Sequence, residues 1–214
     1  MCDDLMFIGI DPSINSTGIV IRLCDNELHE KYIKYYILKG DTHKITKTGK
    51  ITSPLTKAEM TAQEKYDNFN YVLYNKVVSN KDAESSDIEY NKTISFMSLT
   101  QCIVDLIKKE QTLADNPKTY VAIEGISYGS SIRTQSIFDL AGLNFMIRCS
   151  ILSIVNKLII IPPSHVKKFA TGVGNANKEI IIEMFKAVHP DFDIPKIDDI
   201  ADAFFISRIS QQFI

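Results

Sequence analysis

The sequence has no tryptophan, only four cysteines, nine glycines and seven prolines in 214 residues, and almost no surplus of charge. Each shortage excludes something. Cys2, Cys24, Cys102 and Cys149 lie far apart with no C-x-x-C pair, which excludes a disulfide-stapled mini-domain and argues against a thiolate zinc site. Four reduced, mostly buried thiols are expected instead. With so little glycine and proline the chain is neither collagen-like nor a low-complexity tail. A formal net charge of -2, from 24 Lys and Arg against 26 Asp and Glu, rules out bulk basicity. Any contact with nucleic acid must then come from a local patch. The most apolar stretch, residues 147–161, is broken by Arg148, Asn156 and Lys157 and is too short to span a bilayer. The opening Met-Cys-Asp-Asp lacks the basic start of a secretory signal. A cytoplasmic protein without a membrane partner is expected.

What is present fits one globular domain: 45% hydrophobic and 23% charged residues are enough for one sizeable core. Apolar 5–10 reads as a buried strand stopped at Asp11-Pro12, and 18–23 as its hairpin partner. A third strand covers 32–38, and 39–53, rich in Gly, Thr and Lys, reads as an exposed loop or ragged hairpin. Residues 54–78 read as a helix, with Ala58, Ala62, Tyr66, Phe69 and Leu73 near helical spacing. The polar stretch 79–93 reads as a mobile connection, and 96–109 as a second amphipathic helix on Phe96, Leu99, Ile103, Leu106 and Ile107. A strand at 120–123 ends at Glu124-Gly125. Residues 136–155 are apolar nearly all round, so a central helix covered on most sides is expected. A strand at 158–161 and helices at 164–169, 177–188 and from about 197 to the end complete a mixed-sheet α/β domain.

Four acidic positions stand out by their placement. Asp11 closes the first strand and Glu124 the fourth, while Asp199 and Asp202 lie three apart and share one helix face. Asp198 stands beside them, either as a helix-capping acid or as a ligand in place of Asp199. Taken singly, an Asp before Pro is a turn former and a Glu-Gly after a strand is solvated. Together, in this order, they read as a convergent set. Buried carboxylates raise one another's pKa unless divalent cations hold them ionised, and hard oxygen donors suit Mg²⁺ or Mn²⁺.

Several blocks then carry a family likeness: Ile8-Gly9-Ile10-Asp11-Pro12-Ser13 with Thr17-Gly18, Val121-Ala122-Ile123-Glu124-Gly125, Ser164-His165-Val166-Lys167-Lys168, Gly172-Val173-Gly174-Asn175-Ala176-Asn177-Lys178, and Asp199-Ile200-Ala201-Asp202-Ala203. In this order they resemble the RuvC-type Holliday-junction resolvases of the RNase H-like superfamily. Glu124-Gly-Ile-Ser-Tyr-Gly is similar to the version of that block in phage and other viral relatives. The resemblance implies an RNase H-like mixed five-stranded sheet flanked by helices, in a single domain over residues 1–214; the stretch at about 39–116 departs from the family pattern as an elaborated insertion. It implies that Asp11, Glu124, Asp199 and Asp202 bind two Mg²⁺ per site, with Mn²⁺ as a substitute, and that Lys178 acts with them in catalysis. Lys167 matches the second basic position of the family.

Lys167, Lys168, Arg133 and Tyr128 are the candidate DNA-binding residues. Ser127 takes the position aligned with the family's aromatic wedge, and Tyr128 follows one residue later. The glycine-containing loop before Asn177 can present N–H groups to a phosphate, but G-x-x-x-x-G-K-[ST] is absent, so a DNA phosphate fits better than a nucleotide. The implied activity is Mg²⁺-dependent endonucleolytic resolution of four-way and related branched DNA by a homodimer, in bacterial cytoplasm or a virus-infected cell. Three alternatives stay open: action on RNA–DNA hybrid or flap DNA, a non-catalytic DNA-binding member, and a nucleotide-cradling ATPase. The last needs two such domains, for which 214 residues leave no room.

Overall fold

A computed structural model describes residues 4–42, 53–79, 82–126 and 134–214 of the chain. Its centre is β1 (Leu5–Asp11), an apolar strand hydrogen-bonded on both sides. Antiparallel β2 (Ser16–Cys24) flanks it on one side, followed by β3 (Glu30–Asp41) and, parallel to β3, β4 (Phe69–Asn75). On the other side lie parallel β5 (Lys118–Glu124) and β6 (Lys157–Ile161). The sheet order is β4-β3-β2-β1-β5-β6. Apart from β2, every strand runs the same way, so Asp11, Asp41, Asn75, Glu124 and Ile161 all lie at one end.

Alternation divides the strands between two cores. Met6, Ile8 and Ile10 join the core beneath α2 (Ser85–Leu113) and α3 (Thr134–Ile151), together with Leu99, Ile103, Leu143 and Ile147. The opposite face is covered by α6 (Ile197–Ser210), α5 (Lys178–Val188) and α4 (Pro163–Thr171), and by α1 (Lys57–Lys65) near β4. That second core contains Ala122, Val166, Phe185, Ile200 and Phe204.

The sheet has six strands rather than five, because residues 54–78 are not one helix. Helix α1 ends at Lys65, and 69–75 form β4. Phe69 and Leu73 fit helical spacing, but the aromatic and β-branched run Phe-Asn-Tyr-Val-Leu-Tyr prefers a pleated surface. Phe69 and Tyr71 enter one core, and Tyr74 the other. Side chains occupy the outer edge of this strand: Tyr71 N–H donates to Gln63 Oε1 (2.8 Å), Asn75 N–H to Ser98 Oγ (3.0 Å), and, just beyond, Val77 N–H to Ser95 Oγ (2.9 Å). Such an edge is closed to pairing with another chain.

Three other expectations are corrected. Residues 85–93 are not a mobile connection but the first turns of α2. Helix α3 is not covered on most sides: Leu143, Ile147 and Ile151 are buried, whereas Phe138 and Phe145 are 70% and 57% exposed, as is Leu152 just beyond the helix at 63%. Of the three cysteines described, Cys24 alone is buried and Cys149 is exposed, so the expected mostly buried thiols are not found. Cys2 lies outside the described residues, as do Tyr128, Arg133 and most of the 39–53 loop.

Candidate active site

The site begins with two glycines. A Cβ on Gly9 would stand 2.0 Å from the Ala203 carbonyl oxygen and 2.4 Å from Ser207 N, and one on Gly18 would stand 2.2 Å from the Asp199 carbonyl oxygen. The bare backbones of β1 and β2 therefore let α6 lie directly on the sheet. Its first turns reach the strand ends, bringing Asp199 and Asp202 beside Asp11 and Glu124. The odd positions of β1 and the even positions of β5 face α6, so Asp11 and Glu124 point to the same side as the helix.

Each carboxyl has its own environment. Burial, then the charges of Glu124, Asp202 and Asp199, push the Asp11 carboxyl well above the usual range, with Lys178 opposing them. Glu124 is raised by burial and by Asp202, eased by a hydrogen bond with Asp11 and by the charges of Lys167 and Lys178. Burial pushes Asp202 up to about 6 against the pull of Lys178. Asp199 is buried and also raised, but Ser16 Oγ donates to its Oδ2 at 2.5 Å. Asp198 differs: despite partial burial it is lowered, because Lys178 Nζ donates to its Oδ2 at 2.5 Å. The same bond, with Asp198, Asp199 and Asp202 nearby, raises Lys178 against the effect of its own burial.

The structure thus gathers Asp11, Glu124, Asp199, Asp202, Lys167 and Lys178 at one end of the sheet. Lys168 lies apart, on a groove of about 490 Å³ with His165 and Phe169. Two contributors escaped sequence reasoning. Ser16 is joined to Asp199 across nearly the whole chain, which no local pattern reveals. Asn144 of α3, buried, donates from Nδ2 to the Glu124 carbonyl oxygen at 2.8 Å and fixes the end of β5. An isolated glycine within a strand was the one available signal for the close approach of α6.

An all-oxygen donor set with more negative than positive charge, much of it desolvated, has the chemistry of a divalent-cation site. Among the described residues no three His, Cys, Asp or Glu side chains stand close enough, as placed, to hold one ion. An ion would have to draw the carboxylates together. A consequence follows for stability. Carboxyls with raised native pKa values bind more protons folded than unfolded, so metal-free stability falls as pH rises from about 4 through the folded value of about 6 for Asp202. Thermal melts in chelator should show this decline, and Mg²⁺ or Mn²⁺ at pH 7–8 should reverse it. A melting temperature indifferent to both ions would contradict cation binding here.

A mixed sheet with carboxylates where its parallel strands end, and a helix laid over the central strand, is the architecture of the RNase H-like fold. Residues 74–209 match the family model for the crossover junction endodeoxyribonuclease RuvC. That is more than half of the sequence, and the chain belongs to the RuvC family. The matched span contains Glu124, Lys167, Lys178, Asp199 and Asp202; Asp11 precedes it. Thermus thermophilus RuvC in complex with a Holliday junction substrate is similar in fold, at 14% identity and a TM-score of 0.50, over 98% of this chain and 94% of that one. A second T. thermophilus RuvC structure gives 15% identity, a TM-score of 0.44 and coverage of 95% and 90%. The yeast mitochondrial Holliday junction resolvase Ydc2 gives 14%, 0.41, and 98% and 84%. No curated protein sequence matches the chain.

Proposed function

We propose that this chain is a structure-selective endodeoxyribonuclease that resolves four-way and related branched DNA junctions by hydrolysing phosphodiester bonds with two divalent cations per site, Mg²⁺ or in its place Mn²⁺. The observation that carries the reading is the packing of α6 on Gly9 and Gly18, which sets Asp199 and Asp202 against the ends of β1 and β5. Asp11, Glu124, Asp199 and Asp202 would hold the cations. When bound, these ions activate water, stabilise the leaving 3′ oxygen and neutralise charge at phosphorus.

The protein's own groups orient the rest. Asp11 would be the central ligand, because it ends the central strand and faces both Glu124 and α6. Ser16 and Asn144 fix Asp199 and the backbone of Glu124, so the ligands keep their places as a substrate arrives. Lys178 rests on Asp198 without DNA; an incoming phosphate competes for its ammonium and receives electrostatic stabilisation. We assign Lys167, Lys168, Arg133 and Tyr128 to wider DNA contact, with Tyr128 as the aromatic residue for the junction centre. One domain carries all of this, with 39–116 as its elaboration, and works in the cytoplasm of a bacterium or of a virus-infected cell. Among the described residues no helix is long and apolar enough to cross a membrane. The test of the metal requirement is direct: four-way junction cleavage proceeds in Mg²⁺ and stops in chelator. Cleavage persisting in chelator would overturn the reading.

Productive resolution needs two symmetric cuts, which suits a homodimer with two-fold symmetry. Phe138 and Phe145, exposed seven residues apart on α3, with exposed Leu152 just beyond its end, supply an apolar stripe for a second copy. Phe145→Glu is expected to shift the protein from dimer to monomer in light scattering and to turn paired cuts into single nicks. A wild-type chain that is monomeric at micromolar concentration, with and without junction DNA, would contradict the dimer.

A further inference from the structure

The inserted strand β4 reaches toward the active end by an unexpected route. Beyond its last residue, the stem of Lys76 crosses β3 over Gly40, where a Cβ would stand 2.4 Å from Lys76 Cδ. Its ammonium donates to Asn15 Oδ1 at 3.3 Å, and Tyr74 Oη donates to the Ile14 carbonyl oxygen at 3.3 Å. Both contacts fall on the β1–β2 turn, whose next residue, Ser16, holds Asp199. Lys76 therefore sits one turn away from the carboxylates, but on the α2 side of the sheet.

Among the described residues its charge has no matching acid. Lys39 is bonded to Glu59, and Lys92 to Glu89 and Asp139. Among the described residues no carboxylate forms an ion pair with half-buried Lys76, and a neutral amide oxygen is its one bonded partner. Burial lowers its pKa and no neighbouring charge offsets that. It opens on a cavity of about 110 Å³, whose described lining holds Lys92, Ser79 and Ser95 beside apolar Ile14, Val77, Ile88 and Phe96, and no acid. The cavity is larger than one water requires and far below the roughly 300–1,000 Å³ of small-molecule pockets. A base or nucleotide does not fit; the oxygens of one phosphodiester do.

We propose that Lys76, steadied by Asn15, grips a backbone phosphate of the substrate DNA on the β4 side of the active end. This rests on the junction-nuclease reading and gives the inserted strand a part in it: a strand added to the sheet edge supplies a DNA contact that α4 and α5 cannot reach from the opposite face.

The test is the salt dependence of junction binding in an Asp11→Asn background, where the DNA is not cut. Lys76→Met keeps the stem over Gly40 and deletes the charge. It is expected to reduce the slope of log affinity against log salt by about 0.9, the share of one phosphate contact. The deficit at 50 mM salt should accordingly shrink about threefold by 200 mM. Lys76→Arg should restore the slope, and melts of both variants check folding. If Lys76→Met does not fold, Lys76→Gln replaces it in the same comparison. Tight binding with an unchanged slope would overturn the proposal alone, leaving Lys76 as a clamp on the turn. Failure of the Asp11→Asn protein to bind junction DNA at all would overturn the nuclease reading and this contact with it.

Discussion

Asp11→Asn is expected to abolish practical activity, cutting four-way-junction cleavage by about two to three orders of magnitude or more, as loss of a key electrostatic group does elsewhere. Junction binding and folding should survive. The substitution is nearly isosteric, and it removes a desolvated charge that faces Glu124, Asp202 and Asp199. In chelator the variant should therefore melt no lower than wild type, and Mg²⁺ should raise its melting temperature less. That pairing separates a ligand from a structural residue: a structural Asp would lose stability and activity together. Asp198→Ala is the control within the cluster. Asp198 holds Lys178 and is more exposed than its neighbour Asp199, so its loss should lower cleavage far less. Full cleavage by Asp11→Asn, or a deeper loss from Asp198→Ala, would remove Asp11 from the site.

The second large effect is expected from Gly9→Ala, a single added methyl far from any substrate. Its Cβ would meet the Ala203 carbonyl and the Ser207 amide, which are backbone atoms of α6, and no rotamer change relieves that. Overpacking of this kind costs about 1–3 kcal/mol or more. The displaced helix carries Asp199 and Asp202, so cleavage should fall further than the lost stability explains, even at temperatures where the variant is folded. The rise in melting temperature with Mg²⁺ should shrink in parallel. A Gly9→Ala protein with wild-type melting and cleavage would mean that α6 is not held against β1 as described.

How far the sequence disclosed these features depended on the range of the interactions. Strands β1, β2, β5 and β6 were legible because apolar runs end in sharp local breaks, Asp11-Pro12 and Pro162-Pro163 among them. The carboxylates at those ends were legible for the same reason, and the structure brings them together. Strand β4 was not, since Phe69 and Leu73 satisfy a helical repeat while Phe69, Tyr71 and Tyr74 divide between two cores. That choice is settled by the free edge of β3, which lies outside any sequence window. Helix α3 misled differently: its composition is apolar on every side, but composition does not say which side lacks a neighbour. Ser16 with Asp199, Asn144 with the carbonyl of Glu124, and Lys76 with Asn15 join distant segments and leave no local trace. The roles of Gly9 and Gly18 were half visible, since a glycine inside a strand signals a close approach without naming what approaches.

Branch selectivity is what separates a junction resolvase from other nucleases with the same chemistry. On the proposed reading, four carboxylates with their cations and two lysines would act on any phosphodiester that reaches them; substrate shape must be read by surfaces beyond the site. The decisive measurement is competition cleavage in Mg²⁺ among a mobile four-way junction, a flap, a plain duplex and an RNA–DNA hybrid, with both strands of the junction labelled. Paired, symmetric nicks on the junction are expected, with little cutting of duplex or hybrid. Equal or faster cleavage of the hybrid would contradict junction resolution and make the chain a hybrid-cutting nuclease, and preferential flap cleavage would make it a general debranching enzyme.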